Sequence, residues 1–202
     1  MKPKIYAYYE SIQMSNQPEE FACANIWKES WEKNGWEAVM LNNSHAKGSN
    51  LYQKLVTRIL KTLPHFSLED QNNLQRVMVR FTRWCALHAA RGGWMSDYDC
   101  VNVGFSPQDA DELAKSDSLI VIGKPSSYLF YANHDICGGT ISKFIADGIM
   151  NGSSISSESE LLNFSKEYSD MDKKIVHVRK SDGKTKSEAM KSIYAEFISV
   201  PA

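Results

Sequence analysis

The chain opens with a β-forming run, Ile5-Tyr6-Ala7-Tyr8-Tyr9, and reaches a second, Trp36-Glu37-Ala38-Val39-Met40-Leu41, after a single intervening helix. Pro18-Glu19-Glu20 has the character of a helix first turn, with proline where no N–H is missed and acids at the positive end of the dipole. Ala24, Trp27 and Trp31 follow at helical spacing, and Asn34-Gly35 supplies a stop. Strand, helix and strand joined so closely form a βαβ unit. The right-handed crossover rule then pairs its two strands in parallel. This opening is expected to be the first half of an α/β nucleotide-binding fold.

The rest of the chain extends that pattern without repeating it. A loop over residues 42–49 and a helix over 51–63 are expected, then the longest helix from about 74 to 91. Leu74, Val77, Met78, Phe81, Cys85 and His88 share one face of that helix, and Gly92-Gly93 ends it before a strand over 94–96. Residues 106–112 read as a turn leading into a short helix. Runs at 118–123 and 127–132 read as strands too close together for a helix between them, so the second half is mixed. A helix over 139–150, a serine-rich surface loop over 152–160, a strand over 173–179 and a helix over 187–197 complete the chain.

Bulk properties narrow the partners. The 202 residues carry 23 basic and 24 acidic side chains, a net charge of −1, so no global field draws the protein to nucleic acid or an anionic membrane. With 43% hydrophobic and 23% charged residues the composition is that of a globular domain. No apolar run approaches the ~20 residues of a membrane span, and the first ten residues lack the apolar stretch of a signal peptide. Cys23, Cys85, Cys100 and Cys137 form no CxxC pair, so reduced thiols and a cytoplasmic location are expected.

The chemistry centres on Gly92-Gly93-Trp94-Met95-Ser96-Asp97-Tyr98-Asp99. If residues 97–99 are extended, both carboxylates project to one side and reach one ligand. Hard oxygen donors of that kind suit Mg²⁺ or Mn²⁺, and such an ion suits a diphosphate. Two other pairs share the spacing. Asp109 and Asp111 sit at a helix start, where acids favour the dipole, and Asp170 and Asp172 lie in a charged loop. A calcium loop starting at Asp97 fails, because Asn102 and Gln108 stand where its glycine and glutamate belong. Asp97-Tyr98-Asp99-Cys100-Val101 also resembles the motif of haloacid-dehalogenase phosphatases, with Asp97 as nucleophile and Asp99 as acid/base. That motif ends the first strand of its domain, whereas here a whole βαβ unit precedes it.

Arg83-Trp84-Cys85-Ala86-Leu87 running into Gly92-Gly93 and Asp97-Tyr98-Asp99 resembles the arginine, diglycine and DXD block of GT-A glycosyltransferases. It is similar to the sugar-binding DXD group that includes yeast mannosyltransferases and clostridial glucosylating toxins. The resemblance covers about the first half of the chain. It implies an α/β, GT-A (Rossmann-like) single domain with a central mixed, mainly parallel sheet flanked by helices. Further domains of a longer chain are compatible with it. Arg83 fits only with one extra residue before the diglycine, and Arg80 stands where family members carry an aspartate, so the sugar contacts of that aspartate do not transfer.

The same resemblance implies transfer from a nucleotide sugar, a UDP-sugar, to a glycan or other hydroxyl acceptor. Asp99 would ligate Mn²⁺ or Mg²⁺, and Asp97 would hold the ribose or reach the metal through water. The base belongs at the carboxyl ends of the first two strands, near Tyr8, Tyr9, Glu10, Ser11 and Asn42. Arg76, Arg80 and Arg83 form a stripe that is either a solvated cationic face or the diphosphate's neighbour. Asp135, in Asn133-His134-Asp135, is the first choice for a carboxylate base if transfer inverts, and otherwise caps a turn. His177 reads as a strand histidine or a further metal ligand. A phosphatase and a non-catalytic nucleotide-sugar-binding module are the alternatives.

Overall fold

The computed structural model describes residues 2–10, 17–65, 68–115, 118–122, 128–146, 166–167, 173–178 and 185–199. β1 (Lys4–Tyr8) leads through α1 (Gln17–Lys33) to β2 (Glu37–Leu41), and the strands pair in parallel from Lys4↔Glu37 to Tyr8↔Leu41. The βαβ opening is therefore present. Gly35 turns the chain at φ +91°, and the Trp36 N–H donates to the Trp31 carbonyl at 3.2 Å.

Beyond β2 lie α2 (Asn43–Ala46), α3 (Tyr52–Thr62), α4 (Leu68–Asn72) and α5 (Leu74–Ala89). The stretch expected as a loop holds α2 because Asn42 Oδ1 accepts the Ser44 and His45 N–H groups at 3.0 and 3.3 Å. With 16 residues α5 is one shorter than the 17 of α1, so it is not the longest helix. β3 (Gly92–Ser96) then joins β1 in parallel on the side away from β2. The chain thus leaves β1 in one direction and returns across it in the other. That reversal opens a crevice at the carboxyl ends of β1 and β3.

The remaining elements are β4 (Cys100–Asn102), α6 (Pro107–Leu113), β5 (Ile120–Ile122), β6 (Leu129–Asn133), α7 (His134–Ala146), β7 (Lys166–Glu167), β8 (Ile175–His177) and α8 (Lys186–Ser199). The main sheet has the order β2-β1-β3-β6-β5-β7, and β4 pairs with β8 in a separate ribbon. β6 is antiparallel to both β3 and β5, so the sheet is mixed rather than mainly parallel. The cause is the short connection between β5 and β6, which cannot hold a crossover helix. Neither β4 nor β7 was expected from the sequence. α7 starts five residues before the expected 139, because Asn133 Oδ1 accepts the Ile136 N–H at 2.8 Å. The expected loop over 152–160 lies outside the described residues, as do Ser11, Asp170 and Asp172.

Alternation along β1 divides the core. Tyr6 and Tyr8 face a layer of Leu55, Ile59, Phe81, Trp84 and Phe144 from α3, α5 and α7. Ile5 and Ala7 face Trp27, Trp31, Trp36, Trp94 and Phe105, against α1 and α6. Each fully buried side chain of this size contributes roughly 1.5–3 kcal/mol, so helices are held on both faces. Of its expected face α5 buries Val77, Phe81 and Cys85 and leaves Leu74, Met78 and His88 half-buried, and it also buries Thr82, Trp84, Ala86 and Leu87. Trp27 Nε1 donates to Ser96 Oγ at 2.7 Å, locking α1 to the last residue of β3.

Candidate functional site

Asp97 and Asp99 follow β3 at its carboxyl end, but not as an extended pair. The Cys100 N–H donates back to the Asp97 carbonyl at 3.2 Å, closing a turn over residues 97–100. The same-side argument for an extended i, i+2 pair therefore does not apply, and each carboxylate has its own surroundings. The Asp97 side chain is 35% exposed, and its Oδ1 lies 3.2 Å from Arg83 Nη1. Arg83 is 13% exposed, and its guanidinium lies over the Phe130 ring at 5.4 Å. It belongs to the site and not to a solvated stripe. Arg80 is half-buried on the same helix, one turn earlier.

Asp99 is buried. Lys186 Nζ, at the start of α8, sits 2.5 Å from its Oδ2, and His177 Nε2, at the end of β8, sits 3.3 Å from its Oδ1. Burial pushes the Asp99 carboxyl up, yet His177 and Lys186 outweigh it and hold the group below its ordinary value. The Asp99 contact raises His177 against burial, and Asp97 adds to the pull. Burial lowers Lys186, but the Asp99 charge reverses that and raises it. Two acids, two cations and an imidazole from α5, the β3–β4 turn, β8 and α8 thus meet at the crevice. Sequence reasoning missed Lys186 and ranked His177 low. Neither carries a local motif, and only the β4–β8 pairing brings them in from far along the chain.

The residues present fit a divalent ion. Asp99 Oδ1 is shut off from solvent and accepts no hydrogen bond among the described residues, since the His177 contact is an ion pair of poor hydrogen-bond geometry. Two donors on one ion at roughly 2.1 Å each stand about 3 Å apart, close to the 3.3 Å seen here. Asp99, Cys100 and His177 each place a donor atom within 4.8 Å of the others.

Beside the acids, at the ends of β1 and β2, lies a network of Glu10, Asn43 and Tyr52. The Asn43 N–H donates to Glu10 Oε2 at 2.8 Å, and Tyr52 OH donates to Asn43 Oδ1 at 2.8 Å. Tyr8 is a core residue whose hydroxyl meets Thr82 Oγ1 at 3.0 Å. Burial pushes its phenol up. Tyr9 donates to Glu20 at 3.2 Å and meets the Tyr98 ring edge-on at 5.5 Å, so the end of β1 touches the acidic turn. Asn42 caps α2 at the surface.

Asp135 is not brought to this site. It is exposed in the first turn of α7, which follows β6, and β6 runs antiparallel to β3 with Asn133 opposite Gly92. A strand's length separates it from Asp97. Its neighbours are His134 and His88, whose rings stack at 4.1 Å, with Ser49 Oγ 3.0 Å from His88 Nδ1. Burial, then His134 and Arg91, hold His88 below its ordinary value.

The chain matches no known protein family and no curated protein. Among solved structures it is similar to a glycosyltransferase involved in the glycosylation of the major capsid of PBCV-1. The two share 9% identity with a TM-score of 0.43, over 95% of this chain and 100% of that one. At that level the likeness settles neither family nor activity. All four cysteines are buried free thiols, and no described helix is long and apolar enough to cross a membrane.

Proposed function

We propose that the protein is a glycosyltransferase that takes a sugar from a nucleotide-sugar donor, a UDP-sugar, with the help of Mn²⁺ or Mg²⁺, and passes it to a glycan or other hydroxyl acceptor. One observation carries this reading: Asp97, Asp99, His177, Lys186 and Arg83 converge at the carboxyl ends of β1 and β3, where the strand order reverses. Open α/β sheets bind nucleotides in that crevice.

A divalent ion on Asp99 and His177 would supply neutralisation of the leaving diphosphate. Lys186 and Arg83 add fixed positive charge beside the same phosphates, and such pre-set charge costs no reorganisation during transfer. Arg83 orients Asp97, whose carboxylate would hold a ribose hydroxyl. Glu10 and Asn43 face the position of the base. Asp135, at the opposite end of the strands, has no part in this scheme, and the acceptor-side base is left unassigned.

Incubation with UDP-sugars and Mn²⁺, read as UDP release and sugar transfer, tests the proposal. Asp97→Ala and Asp99→Ala should each lower turnover by at least about 10²-fold, the scale of losing one electrostatic contact in a transition state. Full turnover by a folded double variant rejects it. Phosphate release from simple monoesters would favour a phosphatase, and donor binding without turnover a binding module.

A further inference from the structure

The Asp99 centre contains a sulfur. Cys100 and His177 are cross-strand partners in the β4–β8 ribbon, and the Val178 N–H donates to the Asp99 carbonyl at 3.0 Å just beyond them. That placement makes Cys100 and His177 a non-hydrogen-bonded pair, the kind whose side chains approach most closely on one face. The ladder therefore presents a thiol and an imidazole together. The preceding turn folds the Asp99 carboxylate back to within 3.3 Å of the imidazole. Lys186 holds Oδ2, so only Oδ1 of Asp99 is left for an ion.

We infer that Cys100 Sγ joins Asp99 Oδ1 and His177 Nε2 as a third protein ligand, making this a centre that prefers a softer divalent ion, Zn²⁺, Co²⁺ or Mn²⁺, over Mg²⁺. Mixed sulfur, nitrogen and oxygen donors favour such ions, whereas Mg²⁺ favours oxygen donors in octahedral geometry. Three protein ligands leave a fourth tetrahedral position open, as in reactive zinc sites. If the function proposed above holds, a donor phosphate oxygen fills that position. Burial pushes the thiol well up, with the Asp97 and Asp99 charges adding to it, and its S–H lies 3.7 Å from the Tyr128 carbonyl. Metal binding replaces that proton: the S–H bond breaks, a metal–sulfur bond forms, and one proton passes to solvent.

Cobalt titration of the metal-free protein decides the matter. A thiolate-to-cobalt absorption band in the near ultraviolet is expected, bleached by Zn²⁺ and untouched by a hundredfold excess of Mg²⁺. Cys100→Ser and, separately, His177→Gln should each abolish the band and weaken cobalt binding by about tenfold or more. His177 is only partly buried, so its substitution serves if Cys100→Ser fails to fold. Cobalt bound without the band, a band surviving His177→Gln, displacement by Mg²⁺ or no cobalt binding at all overturns the inference. The readout is optical and independent of turnover. An active transferase without the band rejects the sulfur ligand alone, and a band without UDP-sugar turnover rejects the transferase alone.

Discussion

Asp109 fastens α6 at three points. Its Oδ2 accepts the Ser106 N–H at 2.9 Å and the Ser106 hydroxyl at 2.8 Å, and its Oδ1 lies 2.6 Å from Lys174 Nζ just before β8. The Asp109 N–H donates to Ser106 Oγ in return, completing a capping box. Asp109→Asn should cost about 1–2 kcal/mol at neutral pH, the usual loss for a charge-assisted cap. Burial raises this carboxyl, but Lys174 and Ser106 outweigh it and bring it below its ordinary value. A depressed pKa gives stability that is present above the unfolded value of ~3.9 and lost as pH falls through the folded one. Urea unfolding of wild type and Asp109→Asn should therefore differ at pH 7, and the gap should narrow as pH falls below about 3.9. A constant gap would remove the carboxylate from the account. Of the three Asp-x-Asp pairs, this one was legible in the sequence, because a serine and proline before an acid already write the cap. Asp97 and Asp99 were legible as candidates but not in geometry. The turn that separates them depends on β4, whose partner β8 lies far along the chain.

The diglycine after α5 does more than stop a helix. The left-handed residue that ends α5 is Arg91, at φ 72°, and Gly92 already stands in β3 at φ +84°. A Cβ on Gly92 would come within 2.6 Å of the Asn133 carbonyl carbon and 2.7 Å of Ala132 O and His134 N, all backbone at the end of β6. On Gly93, at φ +136°, it would meet only the Tyr6 ring at 3.0 Å. Backbone cannot move aside without breaking the β3–β6 pairing, whereas a ring edge can shift. Gly92→Ala should thus lose roughly 3 kcal/mol or more of unfolding free energy, and Gly93→Ala about 1–2 kcal/mol. Equal urea midpoints for the two variants would mean that β6 yields. Helix-to-strand punctuation shows in the sequence because glycine is conspicuous. The close approach of β6 does not, since antiparallel insertion is decided by the six residues between two short strands and not by any residue near Gly92.

Taken whole, the molecule has two ends, and the reading of the site depends on which residues lie at which. The first three strands and α1, α3 and α5 follow from hydrophobic periodicity, and with them the location of the crevice. The reversed strand β6 carries Asp135 to the other end of the strands, near the His88–His134 stack. Ligand-linked stability separates the ends without requiring turnover. A ligand that binds only the folded state at a hundred times its dissociation constant adds about 2.7 kcal/mol. For a chain of this size that amounts to roughly 5–10 °C in unfolding midpoint. UDP with Mn²⁺ should produce such a rise in wild type. Asp97→Ala and Asp99→Asn should abolish it relative to their own unliganded midpoints, because they remove groups at the crevice. Asp135→Asn should leave it whole, because a helix first turn tolerates asparagine and the residue stands a strand's length away. Loss of the shift in Asp135→Asn, with Asp97→Ala unaffected, would move the nucleotide to the histidine end and overturn the assignment of the crevice.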